Sequence, residues 1–216
     1  LSNGCEERYR LYCFGIDRSV AVEPLRLPES EGRYAFIYGE AAATPSEQLF
    51  DGRGCVGVAR CPEPGASVFD TFDDACGAAA SRAGLPGTYR ALVGDSDNAP
   101  FSRFNVNLTA QPWMRVDRIP IVERASDMLR RDGLLTTFDF GAGGGAVERG
   151  RAWLGSREPD ERSSEPQDHC DDWTTNASSS TGDTGIDWDI DDVAGYFESG
   201  STISCRAFQN LVCLQE

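Results

Sequence analysis

The eight cysteines constrain this chain most, because four of them form two matching pairs. Seven residues separate Cys5 from Cys13 near the start of the sequence, and the same number separates Cys205 from Cys213 near its end. An even number of cysteines without a Cys-x-x-Cys pair indicates disulfides formed in an oxidising compartment. The sequence therefore predicts a secreted protein that is extracellular or bound at a cell surface.

Residues 1–15 form an extra terminal strand that resembles the closing strand at 201–215. Such a segment is either the tail of a preceding tandem repeat or a strand that is exchanged with a neighbouring copy. Both alternatives predict that the partners are other copies of the chain or neighbouring repeats. If Cys5 and Cys13 lie on one extended strand, eight steps of about 3.3 Å place them ~26 Å apart, so they cannot bond each other.

Cys55 and Cys61 leave the remaining pairings open. They either bridge their own loop, with Cys5 and Cys13 bonded to another copy, or hold the amino-terminal strand against that loop.

Composition limits the classes of function. The 216 residues are 40% hydrophobic, which fits one domain, and no run approaches the ~20 apolar residues of a membrane span. All twenty basic residues are arginine against 35 acids, and the net charge is -15. This balance excludes lysine chemistry and disfavours nucleic acid and anionic membranes as partners.

Hydrophobic patterns predict the following organisation. Residues 16–32 are a linker, 33–216 are the main domain, and 42–68 are an inserted loop within it. Helical spacing of apolar residues predicts a helix from Asp70 that ends at Gly84, and a second helix over 122–131. Aromatic and branched residues predict strands at 33–38, 88–93, 136–140, 152–154 and 201–214.

Five blocks of sequence resemble endostatin, the C-terminal domain of collagens XV and XVIII, and the likeness covers roughly residues 33 to 216. A similar pattern occurs in uncharacterised secreted bacterial domains. The blocks are Cys76-Gly-Ala-Ala-Ala-Ser-Arg-Ala-Gly-Leu-Pro-Gly-Thr-Tyr-Arg-Ala-Leu92, Val116-Asp-Arg-Ile-Pro-Ile-Val122, Ala152-Trp-Leu-Gly-Ser156, the stretch from His169 to Gly182, and Cys205 to Cys213.

The resemblance implies an α+β, disulfide-stabilised fold of the C-type-lectin-like class, with two helices on twisted antiparallel sheets and with chain ends close together. It also implies two nested disulfides, Cys76 to Cys213 and Cys170 to Cys205. The chain departs from endostatin in having one histidine, His169, and an acidic balance, so the family's zinc and heparin sites are not expected here.

An acidic stretch near the end offers candidate calcium ligands. Asp187, Asp189 and Asp191 alternate along the chain and Asp192 follows, so an extended loop would bring several carboxylates to one side, as calcium requires. Trp188 in the same stretch is the candidate glycan contact. Calcium is the one cofactor that this pattern suggests.

Two triplets, Asn107-Leu-Thr and Asn176-Ala-Ser, are candidate N-glycosylation sites. The chain has no Gly-x-Ser-x-Gly motif and no histidine pattern of a catalytic triad, so we expect no enzyme activity.

Together these patterns predict a non-catalytic structural or adhesive module of a surface assembly or filament, which associates through its termini. Charge favours a head-to-tail contact, since residues 103–131 carry six arginines whereas 165–198 carry ten acids and no arginine. The alternative hypothesis is a calcium-assisted glycan-binding domain of the lectin type, with an extracellular glycan or protein as its partner.

Overall fold

The computed structural model describes residues 32–39, 50–55, 67–104, 111–129, 133–147, 151–156, 158–177, 181–183, 186–187 and 202–216. All of them belong to one compact unit that begins at residue 31. The extra terminal strand at 1–15, nearly all of the linker and most of the inserted loop lie outside these residues. The predicted domain division therefore stays a prediction.

The fold is α+β, as the sequence predicts. The helices are α1 (Val68–Ala83) and the single turn α2 (Cys170–Trp173), with 3-10 turns at Pro100–Arg103, Ala125–Leu129 and Pro166–Asp168. The strands are β1 (Arg33–Tyr38), β2 (Tyr89–Ala91), β3 (Trp113–Arg115), β4 (Arg151–Ala152), β5 (Thr181–Asp183), β6 (Ile186–Asp187), β7 (Thr202–Ser204) and β8 (Leu211–Gln215). No described helix is long and apolar enough to span a membrane.

The main sheet has four strands in the order β2-β8-β1-β3, and the prediction that all its strands are antiparallel is wrong. Strands β1 and β2 both run antiparallel to β8, whereas β1 and β3 are parallel, with Arg33 opposite Trp113. A parallel pair needs a long crossover connection, and here the chain passes through α1 and β2 before it returns as β3. Strands β4 with β6 and β5 with β7 form two small antiparallel sheets.

Helix α1 confirms the strongest helical pattern in the sequence. Its buried face carries Phe72, Cys76, Ala79 and Ala80, which recur at helical spacing. The helix ends at Gly84, whose φ of 72° is the left-handed conformation that glycine adopts readily, and whose N–H bonds to carbonyls of the last turn.

The predicted second helix at 122–131 and the predicted strand at 136–140 are wrong where the structure describes them. Val122 forms a bridge with Leu134, and the chain then makes only a 3-10 turn in which Ala125 and Met128 are buried. The spacing of three residues between these side chains suits a 3-10 turn as well as an α-helix. In the second segment only Phe140 makes a bridge, to Ala146.

Both faces of the main sheet are buried, and each has its own hydrophobic cluster. Alternate residues of β1 divide between the clusters, with Ala35 and Ile37 in one and Phe36 in the other. Trp113 belongs to the first cluster and Trp153 to the second, and neither indole is exposed.

Two disulfides join the closing segment to the rest of the domain. Cys76 of α1 bonds Cys213 of β8, and Cys170 of α2 bonds Cys205 after β7. These are the pairs that the resemblance to endostatin implies. Cys55 is also disulfide-bonded, and its partner lies outside the described residues.

Candidate binding surfaces

The opening and closing strands of the domain lie side by side at one end of the main sheet. Ala35 of β1 is opposite Leu214 of β8. The Gln215 side chain joins this end together, because its Oε1 accepts the Tyr34 N–H at 2.8 Å and its Nε2 donates to the Pro86 carbonyl at 2.9 Å. The chain therefore reaches and leaves the domain at neighbouring positions.

One edge of the main sheet, strand β2, is partly closed by side chains. The backbone groups of β2 point alternately toward β8 and away from it. The N–H and carbonyl groups of Tyr89 and Ala91 therefore face the open edge of the sheet. The Ala91 N–H donates to Asp73 Oδ1 at 2.9 Å, and its carbonyl accepts from Arg103 Nη1 at 2.9 Å. Among the described residues of this edge, only the backbone N–H and carbonyl of Tyr89 are left for an added strand.

Asp73 and Arg103, which close that edge, form a largely buried ion pair of 2.7 Å. Burial raises the pKa of Asp73 and the nearby Arg103 charge opposes this shift. Burial likewise lowers the pKa of Arg103, and Asp73 opposes it. The guanidinium also lies over the Phe69 ring at 4.1 Å, so Arg103 is held on three sides.

The other edge, strand β3, is covered by the chain that follows it. Ile121 donates its N–H to the Trp113 carbonyl, and Arg115 donates its N–H to the Ile119 carbonyl, both at 2.9 Å. The four described strands thus have few unpaired backbone groups. A strand exchanged from a neighbouring copy could form only a short ladder at an edge of this sheet.

The predicted basic face at 103–131 is weaker than its arginine count indicates. Arg115 binds Asp117 and, at 2.9 Å, Asp139, and it lies over the Phe140 ring. Its hydrogen bond to Asp117 raises the pKa of Arg115 and lowers the pKa of that carboxyl. Arg103 is paired with Asp73 as described above. These two arginines are neutralised within the domain.

The turn α2 has an unusual backbone. Cys170, Asp171, Asp172 and Trp173 have φ of 55°, 55°, 50° and 60°, so four successive non-glycine residues are left-handed. This conformation costs roughly 1–2 kcal/mol per residue, and surrounding contacts must hold it. The Cys170–Cys205 disulfide holds its first residue, and the Trp173 indole, which donates to the Gly94 carbonyl at 2.8 Å, holds its last.

His169 precedes this turn and is 1% exposed. Its Nδ1 accepts the backbone N–H of Asp172 at 2.8 Å. The same nitrogen lies 3.1 Å from Asp172 Oδ1, whereas Nε2 has no partner among the described residues.

A cleft of about 300 Å³ lies between α2, the loop that follows β2 and the start of α1. Asp172 accepts the N–H and the hydroxyl of Ser96 at 2.9 and 3.0 Å, and Asp95 accepts the N–H groups of Asp97 and Asn98. No arginine lines this cleft among the described residues, which are Ser67, Val68, Phe69, Asp95, Asp172, Trp173 and Thr174. Its carboxylates are held by backbone N–H groups and the Ser96 hydroxyl, and Asp172 also lies 3.1 Å from His169 Nδ1.

Most of the predicted calcium and glycan residues lie outside the described part of the chain. Asp187 is in β6, opposite Arg151 of β4. Asp189, Asp191, Asp192 and Trp188 are among the residues not described. Within the described ranges no group of three or more potential ligands is placed to hold a metal ion. The calcium site stays a prediction.

One predicted glycosylation site can be located. The Asn176 Nδ2, the atom that would carry a glycan, donates to Asp51 Oδ2 at 3.3 Å and the side chain is half-buried. A glycan at this nitrogen would replace one of its two hydrogens beside Asp51. Asn107 lies outside the described residues.

Comparisons with known proteins leave the family open. No family model matches the sequence, and no curated protein matches it. The resemblance to endostatin therefore rests on the five sequence blocks.

Proposed function

We propose that this chain is an extracellular, non-catalytic module of the C-type-lectin-like class, resembling endostatin, that serves as a structural or adhesive unit of a surface assembly. One observation carries the proposal: β1 and β8 are neighbours in the centre of the sheet, and β8 is disulfide-bonded to α1. Because the chain enters and leaves the domain through these neighbouring strands, the connections lie at one end and the remaining surface faces partners.

The architecture supports the fold part of the proposal. A long helix lies next to a four-stranded mixed sheet, the closing strand is central, and nested disulfides tie that strand and the preceding turn to the domain. Disulfides are compatible with an oxidising, extracellular setting.

The chemistry of the chain supports a role without catalysis. Lysine is absent from the sequence, and the single histidine is buried with its Nδ1 bonded to the Asp172 N–H. We therefore assign the fold to binding and display rather than to a reaction.

Association through the termini takes the following form in this proposal. Because the described main sheet offers only the Tyr89 position to an added strand, a long exchanged strand is disfavoured. We propose instead that copies follow one another, with the terminal segment 1–15 contacting the closing end of the preceding copy.

Light scattering and negative-stain electron microscopy of the full chain, with and without a calcium chelator, test this function. We expect oligomers or filaments that survive the chelator and that weaken when Cys5 and Cys13 are both replaced by serine. Monomers at every concentration would contradict association between copies. Glycan binding that disappears with the chelator would favour the calcium-assisted lectin instead.

A further inference from the structure

A cavity of about 230 Å³ lies where the last turn of α1, the end of β1 and a glycine turn at 141–145 meet. It is large enough for a small organic molecule rather than a single water. Its lining residues are Ile37, Tyr38, Gly39, Ala79, Arg82, Ala83, Ala142 and Gly143.

Small side chains of α1 create this space. Ala79 and Ala83 are four residues apart and therefore lie on one face of the helix, where a longer side chain would fill the cavity. Ile37 of β1 is 1% exposed and forms an apolar wall. Tyr38 closes one side and packs on Phe50, with ring centroids 5.6 Å apart.

One cation at the border of the cavity has no partner among the described residues. Arg82 makes no ion pair or hydrogen bond with the described residues, unlike the buried Arg103 and Arg115. The Gly143 N–H is also unused, because the turn is closed by the Gly141 and Gly144 N–H groups. No acidic residue is among the described lining residues.

We infer that this cavity binds a small organic monocarboxylate, whose carboxylate meets Arg82 and whose apolar part lies on Ile37, Ala79 and Ala83. A guanidinium binds a carboxylate through paired, charge-assisted hydrogen bonds, and the Gly143 N–H provides a further donor at the rim. An apolar floor with a few polar groups at its edge is the usual composition of a small-molecule site. The inference does not depend on assembly of the chain.

Calorimetric titration of the full chain with benzoate and with butyrate tests the site, and benzamide serves as the neutral comparison ligand. We expect both carboxylates to bind the wild-type protein and benzamide to bind about tenfold more weakly, because it lacks the charge. In nuclear magnetic resonance spectra, benzoate should shift the amide signals of residues 37–39, 79–83 and 142–143.

Three variants make the test specific. Arg82→Gln should weaken benzoate binding about tenfold, whereas Arg124→Gln, which changes an equally exposed arginine far along the chain, should leave it within about twofold. Ala83→Leu should abolish binding by filling the cavity while Arg82 stays in place. Circular dichroism checks that each variant is folded.

Three results would overturn the inference. They are no carboxylate binding by the wild-type protein, equal binding by Arg82→Gln, and signal shifts that lie outside the cavity.

Discussion

Two regions of this domain hold their carboxylates in opposite ways. At the sheet edge and beside β3, Asp73 and Asp117 are paired with Arg103 and Arg115. Around α2, Asp172 and Asp95 pair with no arginine among the described residues. They accept from backbone N–H groups, Ser96 and Asn98, and Asp172 also lies 3.1 Å from His169 Nδ1. Each region also has one disulfide.

The contrast shows that, within the described residues, the two regions compensate their carboxylates differently. The arginine-paired region satisfies its charges internally, so it contributes to cohesion more than to recognition. In the region around α2, backbone and hydroxyl donors fix the geometry of the carboxylates. A cationic partner would meet an ordered negative surface there.

The largest losses of stability should follow removal of the two disulfides, one in each region. The cysteines are 137 residues apart in Cys76–Cys213 and 35 apart in Cys170–Cys205. The chain-entropy model gives about 5 kcal/mol for the first and about 4 kcal/mol for the second. Urea unfolding of the two double-serine variants measures both losses, and a greater loss at Cys170–Cys205 would mean that the left-handed turn depends on its disulfide beyond chain entropy.

Arg103→Leu should be the most damaging single substitution among the paired charges. It leaves Asp73 largely buried without its cation and removes the donor to the Ala91 carbonyl, which should lower the free energy of unfolding by about 3 kcal/mol. Chemical denaturation measures the loss. The double variant Asp73→Leu/Arg103→Leu is the control and should recover part of it, since no unpaired charge remains; a double variant less stable than the single one would contradict the explanation.

In the region around α2 the corresponding substitution should have a smaller effect. Asp172→Asn removes the charge that accepts the Ser96 N–H and hydroxyl, and because the side chain is half exposed we expect a loss of about 1 kcal/mol. Asp171→Asn is the matched control, with the same left-handed backbone and an expected change within about 0.5 kcal/mol. Equal losses for the two variants in thermal denaturation would show that Ser96 contributes nothing.

The smallest effect should appear in acid, where the two paired carboxyls act with opposite sign. The pKa of Asp117 is lowered in the folded state, so its stabilisation is present above the usual pKa of 3.8 and is lost as pH falls through the lower folded value. The pKa of Asp73 is raised, so its contribution is present below the usual value and is lost as pH rises through the higher folded one.

Unfolding in urea between pH 2 and pH 5 measures this difference. Asp117→Asn should flatten the rise of stability with pH, by less than about 1 kcal/mol because the group is near the surface. Asp73→Asn should steepen that rise. The same change of slope in both variants would show that burial does not dominate at Asp73.

The parts of the fold that were predictable from sequence depend on local spacing. Phe72, Cys76 and Ala79 recur at helical intervals and Gly84 ends the run, so α1 follows from the sequence with an error of two residues at its start. The aromatic and branched residues of β1 likewise mark the strand at its observed limits. In both cases the residues that indicate the element lie within the element or within a few residues of its ends.

The remainder depends on contacts between distant residues. Nothing near Asp73 indicates that Arg103, 30 residues later, will pair with it across the edge of β2. The left-handed turn contains no glycine, so its amino-acid composition does not indicate its backbone conformation. The cavity beside Arg82 requires knowledge that the glycine turn packs against α1, although the alanines at 79 and 83 were visible.

The position of β8 also determines when the domain can fold. This strand is the last one in the sequence of the domain, yet it lies between β1 and β2 in the sheet. Its residue Leu214 is paired with Ala35, which is far earlier in the sequence. Contacts of such long range slow folding, and until β8 is in place two strands have exposed flanks that can aggregate. The domain must therefore remain unfinished during synthesis until residues 211–215 are available, and a chain that stops before Leu211 would lack the centre of its sheet.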